Sequence, residues 1–450
     1  MKLTNFSRLV FVAFVAMSIA TACTKEGPAG PAGDAGKDGV DANETCKMCH
    51  NPESVDKIAT QFTLSKHEFG VVAEEEAGVV GCTPCHAQEA FKYVVKNNIP
   101  VTFSPDPNKP GFFINNYNTI ASAAYGDLSC GTCHSSIHAT YSSADLPALT
   151  TVAAVPMTMW AGAKTIDLKQ DGGISNLCVK CHQPRPQTNL QTSNVQDYVA
   201  IATNPTVLAY DSDNDKAKTN IVRPGYRMHV HYGAVGAVYA GMGGIEFAGT
   251  ESYASSAHTT VATCEACHMG AEGGKSEMVG KAGGHSFSAV GNFTTCNAAG
   301  CHTTAVTAKD PNFWVNPRAE IQQLLMDLAA KLTVNGVEMC NRNPGSDNLW
   351  LGITKNNYDG YLNVLDMQNN AAGKVNNASQ FQNPAPPSAP NQYWSQADLD
   401  YNKTLPKLSL TNAQYGAILN FQLCLRDYSL GIHNYKYTRA LLKNSIAILK

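Results

Sequence analysis

The chain has 450 residues, with 33 Lys plus Arg against 36 Asp plus Glu and a formal charge of −3. That near-neutral balance excludes a basic nucleic-acid footprint and a charge-driven membrane surface. The unusual holdings are 15 cysteines and 13 histidines, so sulfur and imidazole chemistry is the place to look.

Taken in order, residues 1–22 carry Lys2 and Arg8, then the apolar run Leu9 to Met17, then small residues. This is the pattern of a secretory signal peptide, and the run is too short to span a bilayer. Ala20-Thr21-Ala22-Cys23 resembles a bacterial lipoprotein processing site, which implies a lipidated Cys23; ordinary cleavage near Ala22 is the alternative. From Gly27 to Gly39 glycine recurs every third residue. The period is that of collagen, but five triplets are too few for a stable triple helix, so residues 23–42 read as a lipidated cysteine and a flexible tether.

Five motifs of the form C-x-x-C-H follow: Cys46/Cys49/His50, Cys82/Cys85/His86, Cys130/Cys133/His134, Cys178/Cys181/His182 and Cys264/Cys267/His268. A sixth is stretched, Cys296/Cys301/His302. C-x-x-C-H is the attachment signature of c-type haem. Thiols three residues apart share one side of a helical turn and can bond both vinyl groups of one porphyrin, and the next residue turns its imidazole to the iron. A zinc half-site, a redox dithiol or a disulfide framework would not require histidine at that place each time. For the stretched pair a small disulfide loop is the other reading. Cys340 and Cys424 are left over, as a disulfide or as two buried thiols. Six covalently attached haems, with two propionates each, would make the loaded protein more acidic than the chain.

The second axial position of each iron decides between carrying electrons and doing chemistry. Seven histidines lie outside the motifs: His67, His138, His229, His231, His258, His285 and His433. His67 and His258 sit a little upstream of a motif. His138 follows His134 by four residues, the spacing of one helical face. His229 and His231 point the same way if the chain is extended there, so that one of the two reaches an iron. The set His67, His138, His231, His258, His285 and His433 is assigned as distal ligands, with His229 spare. The segments His231-Tyr232-Gly233, Ser256-Ala257-His258 ahead of Cys264, Gly284-His285 and Gly431-Ile432-His433 resemble distal-ligand settings of the multihaem c-type cytochromes. That group includes nitrite, hydroxylamine and tetrathionate enzymes and purely electron-transferring relatives.

The spacers 103–120 and 183–228 are rich in Asn, Ser, Thr, Gly and Pro and read as loops and turns. Beyond residue 303, Pro317–Leu332 has helical apolar spacing with Gly336 after it, residues 383–390 form a proline-rich loop, Thr411 caps a helix to about Asp427, and a last helix starts near Asn434. The expected fold is mainly α with extensive loops, a six-haem core packed around porphyrins (43–310) and a helical C-terminal region packed on it (311–450). The expected function is electron transfer, to other cytochromes or an extracellular acceptor, from the outer membrane through the lipid on Cys23, probably at the cell surface. The alternative is a reductase of nitrite, hydroxylamine or a sulfur oxyanion with one open iron. Seven candidate ligands for six irons favour the conductor, and no C-x-x-C-K motif of the lysine-ligated enzymes is present.

Overall fold

Short helices dominate, because each cysteine-pair motif supplies little more than one turn. The computed structural model describes residues 42–69, 76–79, 81–105, 107–108, 110, 113–118, 126–185, 197–211, 216–217, 225, 228–276, 280–342, 358–362, 364 and 407–449. The signal peptide, Cys23, nearly all of the tether and the proline-rich loop at 383–390 lie outside the described residues. The chain divides into two units, residues 1–50 and 51–450. In the first, helix α1 (Ala42–Cys49) carries Cys46 and Cys49, and the His50 amide donates to the Cys46 carbonyl at 2.7 Å.

In the second unit α2 (Val55–Thr63), α3 (Lys66–Phe69), α4 (Thr83–His86), α5 (Gln88–Lys96), α6 (Cys130–Cys133), α7 (Ile174–Cys181), α8 (Tyr198–Thr203), α9 (Val235–Tyr239), α10 (His258–Val261), α11 (Cys264–His268) and α12 (Phe293–Cys296) lead to three longer helices. These are α13 (Asn316–Lys331), α14 (Asn412–Arg426) and α15 (Tyr435–Ile448). Strands are short two-stranded ladders, apart from Leu410–Thr411, Leu208–Asp211 and Lys216–Ala217, which pair in that order.

The spacer 183–228 is not all loop. Asp197 accepts the Ala200 amide at 2.8 Å and so starts α8, which buries Tyr198 and Ile201 against the core. Within 103–120, Phe103–Pro105 pairs with Phe113–Asn115. The helix expected at Pro317–Leu332 is α13, with Pro317 in its first turn where a missing amide hydrogen costs nothing. Gly336 does not cap it. Asn335 and Gly336, both at positive φ (49° and 74°), turn the hairpin Thr333–Val334 to Val337–Glu338 instead.

A capping box starts α14: Thr411 Oγ1 accepts the Gln414 amide at 3.2 Å, and Gln414 Oε1 accepts the Thr411 amide at 2.8 Å. The helix is buried all round, since every residue of Asn412–Arg426 except Gln414 is buried. It is therefore the axis of a side-chain core rather than a surface buttress. Phe247, Leu328, Phe421, Leu441 and Leu442 are fully buried in this core, which also takes in Val155 and Val179 from the motif-bearing part of the chain. Burying one such side chain contributes about 1.5–3 kcal/mol. No disulfide joins Cys340 to Cys424; both are buried thiols in the same core.

Candidate metal centres

Each regular motif uses one hydrogen bond to turn its histidine. The His86, His134 and His182 amides donate to the carbonyl of the first cysteine of their motif at 3.1, 2.9 and 2.9 Å, which sets the ring one turn from that sulfur. Ser129 and Thr132 form a capping box over α6, and Thr263 accepts the Ala266 amide over α11 at 3.1 Å. In the stretched motif α12 ends at Cys296. The chain then turns through Gly300 (φ 87°), and Cys301 donates to the Ala298 carbonyl at 3.1 Å.

Five motif histidines each face one histidine from elsewhere in the second unit. Ring centroids are 6.0 Å apart for His182 and His67, 6.2 Å for His86 and His231, and 6.4 Å for His134 and His285. They are 6.1 Å apart for His302 and His258 and 6.2 Å for His268 and His433. Two metal–imidazole bonds of about 2 Å in line, with roughly 1 Å of ring at each end, give a separation of about 6 Å. The pairs thus fit two axial ligands on one iron. Among the described residues no group of three or more His, Cys, Asp or Glu side chains converges as a metal cage; the repeated unit is the histidine pair.

The ring nitrogens fit ligation as well. Nδ1 of His182 lies 3.1 Å from the Gly233 carbonyl, that of His258 2.9 Å from Ile432, and that of His268 2.9 Å from Phe287. Donation from Nδ1 fixes the tautomer and leaves the Nε2 lone pair for a metal. Nδ1 of His67, His134 and His231 is buried without a hydrogen-bond partner among the described residues. Burial pushes His67 down to about 4, with His182 and His268 adding to it, and His231 down to about 3, with Arg185 and His86 adding to it. His268 is likewise lowered to about 4 by burial and by His433. These rings are neutral at physiological pH, the form that binds metal.

His433 differs. Its Nδ1 lies 2.7 Å from Oδ1 of Asp427, whose side chain is fully buried. Burial is the largest influence on His433 and lowers its pKa, yet Asp427 by charge and hydrogen bond leaves it raised.

Two expectations about the spare histidines change. His138 does not share a helical face with His134, because α6 ends at Cys133 and His138 sits at φ 63°, its ring stacked on Tyr141 at 5.5 Å. His229 and His231 are not on one side of an extended strand either. His231 has φ 132° and turns to His86, whereas buried His229 packs on Tyr232 at 4.9 Å.

The centres adjoin one another. Cys181 hydrogen-bonds Cys85, and Cys178 hydrogen-bonds Cys264, so α7 lies between α4 and α11. Gly236 makes close packing beside α7 workable: its amide donates to the His182 carbonyl at 2.9 Å, and a Cβ there would stand 2.8 Å from that oxygen and from Val179. Phe287 joins three pairs, with its ring 4.7 Å from His67 and 5.6 Å from His285 and its carbonyl taking His268. The stretch 426–433 joins three as well. The Arg426 carbonyl accepts the Gly233 amide at 3.1 Å, Ile432 takes His258, and His433 faces His268.

Sequence reasoning missed these outer partners, Asp427 and Phe287 above all, because backbone carbonyls carry no residue signature and Asp427 lies in no ligand motif. No helix among the described residues is long and apolar enough to cross a membrane. No known protein family matches the chain, and neither a curated protein nor a solved structure matches it.

Proposed function

We propose that the chain is a six-haem c-type cytochrome that carries electrons and performs no substrate chemistry of its own. The observation that carries this reading is the set of five histidine pairs, each uniting a motif histidine with a histidine outside the motifs at 6.0–6.4 Å. Cysteines of the six motifs would hold the porphyrins, and His50, His86, His134, His182, His268 and His302 would be the proximal ligands. His67, His231, His258, His285 and His433 would close the irons they face, and the reading keeps His138 as a distal ligand. Bound haem would supply a reversible one-electron iron couple whose value the protein sets through ligands, hydrogen bonds and burial.

Two neutral imidazoles on one iron leave no position for substrate, which favours the carrier over a reductase. The adjoining of α4, α7 and α11 supports passage of electrons within the chain. The proposed setting is an exported lipoprotein held at the outer membrane by Cys23, facing the cell surface, with other cytochromes or an extracellular acceptor as partners.

A pyridine haemochrome assay tests the haem content. Six haems per chain are expected for the wild type and five for a C296A/C301A variant. A wild-type count of five, unchanged in that variant, would mean that the stretched motif binds none. A count near zero would end the reading.

A further inference from the structure

We propose that Asp427 is a positioning residue that lowers the reduction potential of the His268/His433 iron below those of the His67/His182 and His258/His302 irons. The inference rests on the haem reading above and extends it from ligand identity to tuning. In the latter two pairs the Nδ1 bonds that are seen end on neutral backbone carbonyls, Gly233 for His182 and Ile432 for His258. Only His433 donates to a carboxylate among the described residues, at 2.7 Å. The other carboxylate close to a ligand is Glu76, whose field reaches His86 but which hydrogen-bonds Cys82.

A buried carboxylate on the outer nitrogen makes the imidazole a stronger electron donor. Its charge also favours ferric iron, which carries one positive charge more than ferrous in the same ligand set, and does so in a low-dielectric setting. Both effects move the potential the same way. The backbone is shaped to make this contact. Between Asp427 and His433 the chain passes through Tyr428 at φ 59°, Leu430 at φ 50° and Gly431 at φ 88°. Left-handed geometry at two non-glycine residues costs about 1–2 kcal/mol each, and it curls His433 back onto Asp427. Ser429 holds the carboxylate from the other side through its hydroxyl and accepts the His433 amide at 3.2 Å.

The test is a spectroelectrochemical titration of the intact holoprotein, followed by low-temperature electron paramagnetic resonance, on wild type and D427N. Asparagine keeps the shape and an acceptor oxygen but removes the charge. One of six waves is expected to move to higher potential and one low-spin signal to change its g values, the other five staying in place. D427N with six haems and no displaced wave overturns the proposal while leaving the haem reading intact. A wild type without haem at Cys264/Cys267 overturns both. Should D427N fail to accumulate, S429A serves with the opposite sign: removing the shared hydroxyl leaves more charge for His433, so one wave falls, and an unmoved wave overturns the proposal.

Discussion

H231G should convert one haem in six from low-spin to high-spin, and added imidazole should restore it. His231 faces His86 at 6.2 Å and is held at φ 132°, a conformation open to glycine at no steric cost. Glycine there removes the ligand and relieves the backbone, so the chain should still fold and load. The matching variant H229G should keep every signal low-spin, since His229 packs on Tyr232 instead. The pair of spectra separates two histidines that differ by two positions. A high-spin haem in H229G and none in H231G would reverse the assignment.

N420L should lower stability by about 4 kcal/mol, because buried backbone groups left without partners cost roughly 1–3 kcal/mol each. Asn420 is fully buried in α14. Its Oδ1 accepts the Ile245 amide at 2.7 Å, and its Nδ2 donates to the Ile245 carbonyl at 2.8 Å and to Ser445 Oγ at 2.9 Å. Leucine would orphan all three groups at the joint between α14, α15 and the Ile245 segment. The urea midpoint followed by circular dichroism should fall with the slope unchanged. The His433 site should loosen first, because Asp427 to Asn434 is the connection between those two helices. A loss under about 1 kcal/mol would mean that this joint does not hold the core.

The motifs were legible because attachment needs its two sulfurs and its imidazole within one stretch of chain, which sequence spacing records directly. The pool of distal ligands was legible by count alone. Which ring meets which was not, because His134 with His285 or His268 with His433 are brought together only by the fold, and no local pattern encodes the match. Local geometry even misled. The four-residue step from His134 to His138 suggested a shared helical face, but α6 stops after one turn.

Helix ends were read well where side chains cap them, as with Thr411 and Asn434, whose Oδ1 accepts the Tyr437 amide at 3.3 Å. The side-chain core around α14 was underestimated. Asn420, Gln422 and Arg426 break its apolar pattern, yet all are buried: Gln422 and Arg426 both donate to the Gly360 carbonyl, at 2.7 and 2.8 Å. Satisfied polar groups of this kind look like a solvent face in sequence.

The central claim is that every iron is closed by two histidines of this chain. Low-temperature electron paramagnetic resonance of the oxidised wild-type protein tests it most directly. Wholly low-spin signals that do not change on adding nitrite, hydroxylamine or cyanide are the expected result. A high-spin haem that shifts on adding any of them would contradict the claim and make the protein a candidate enzyme.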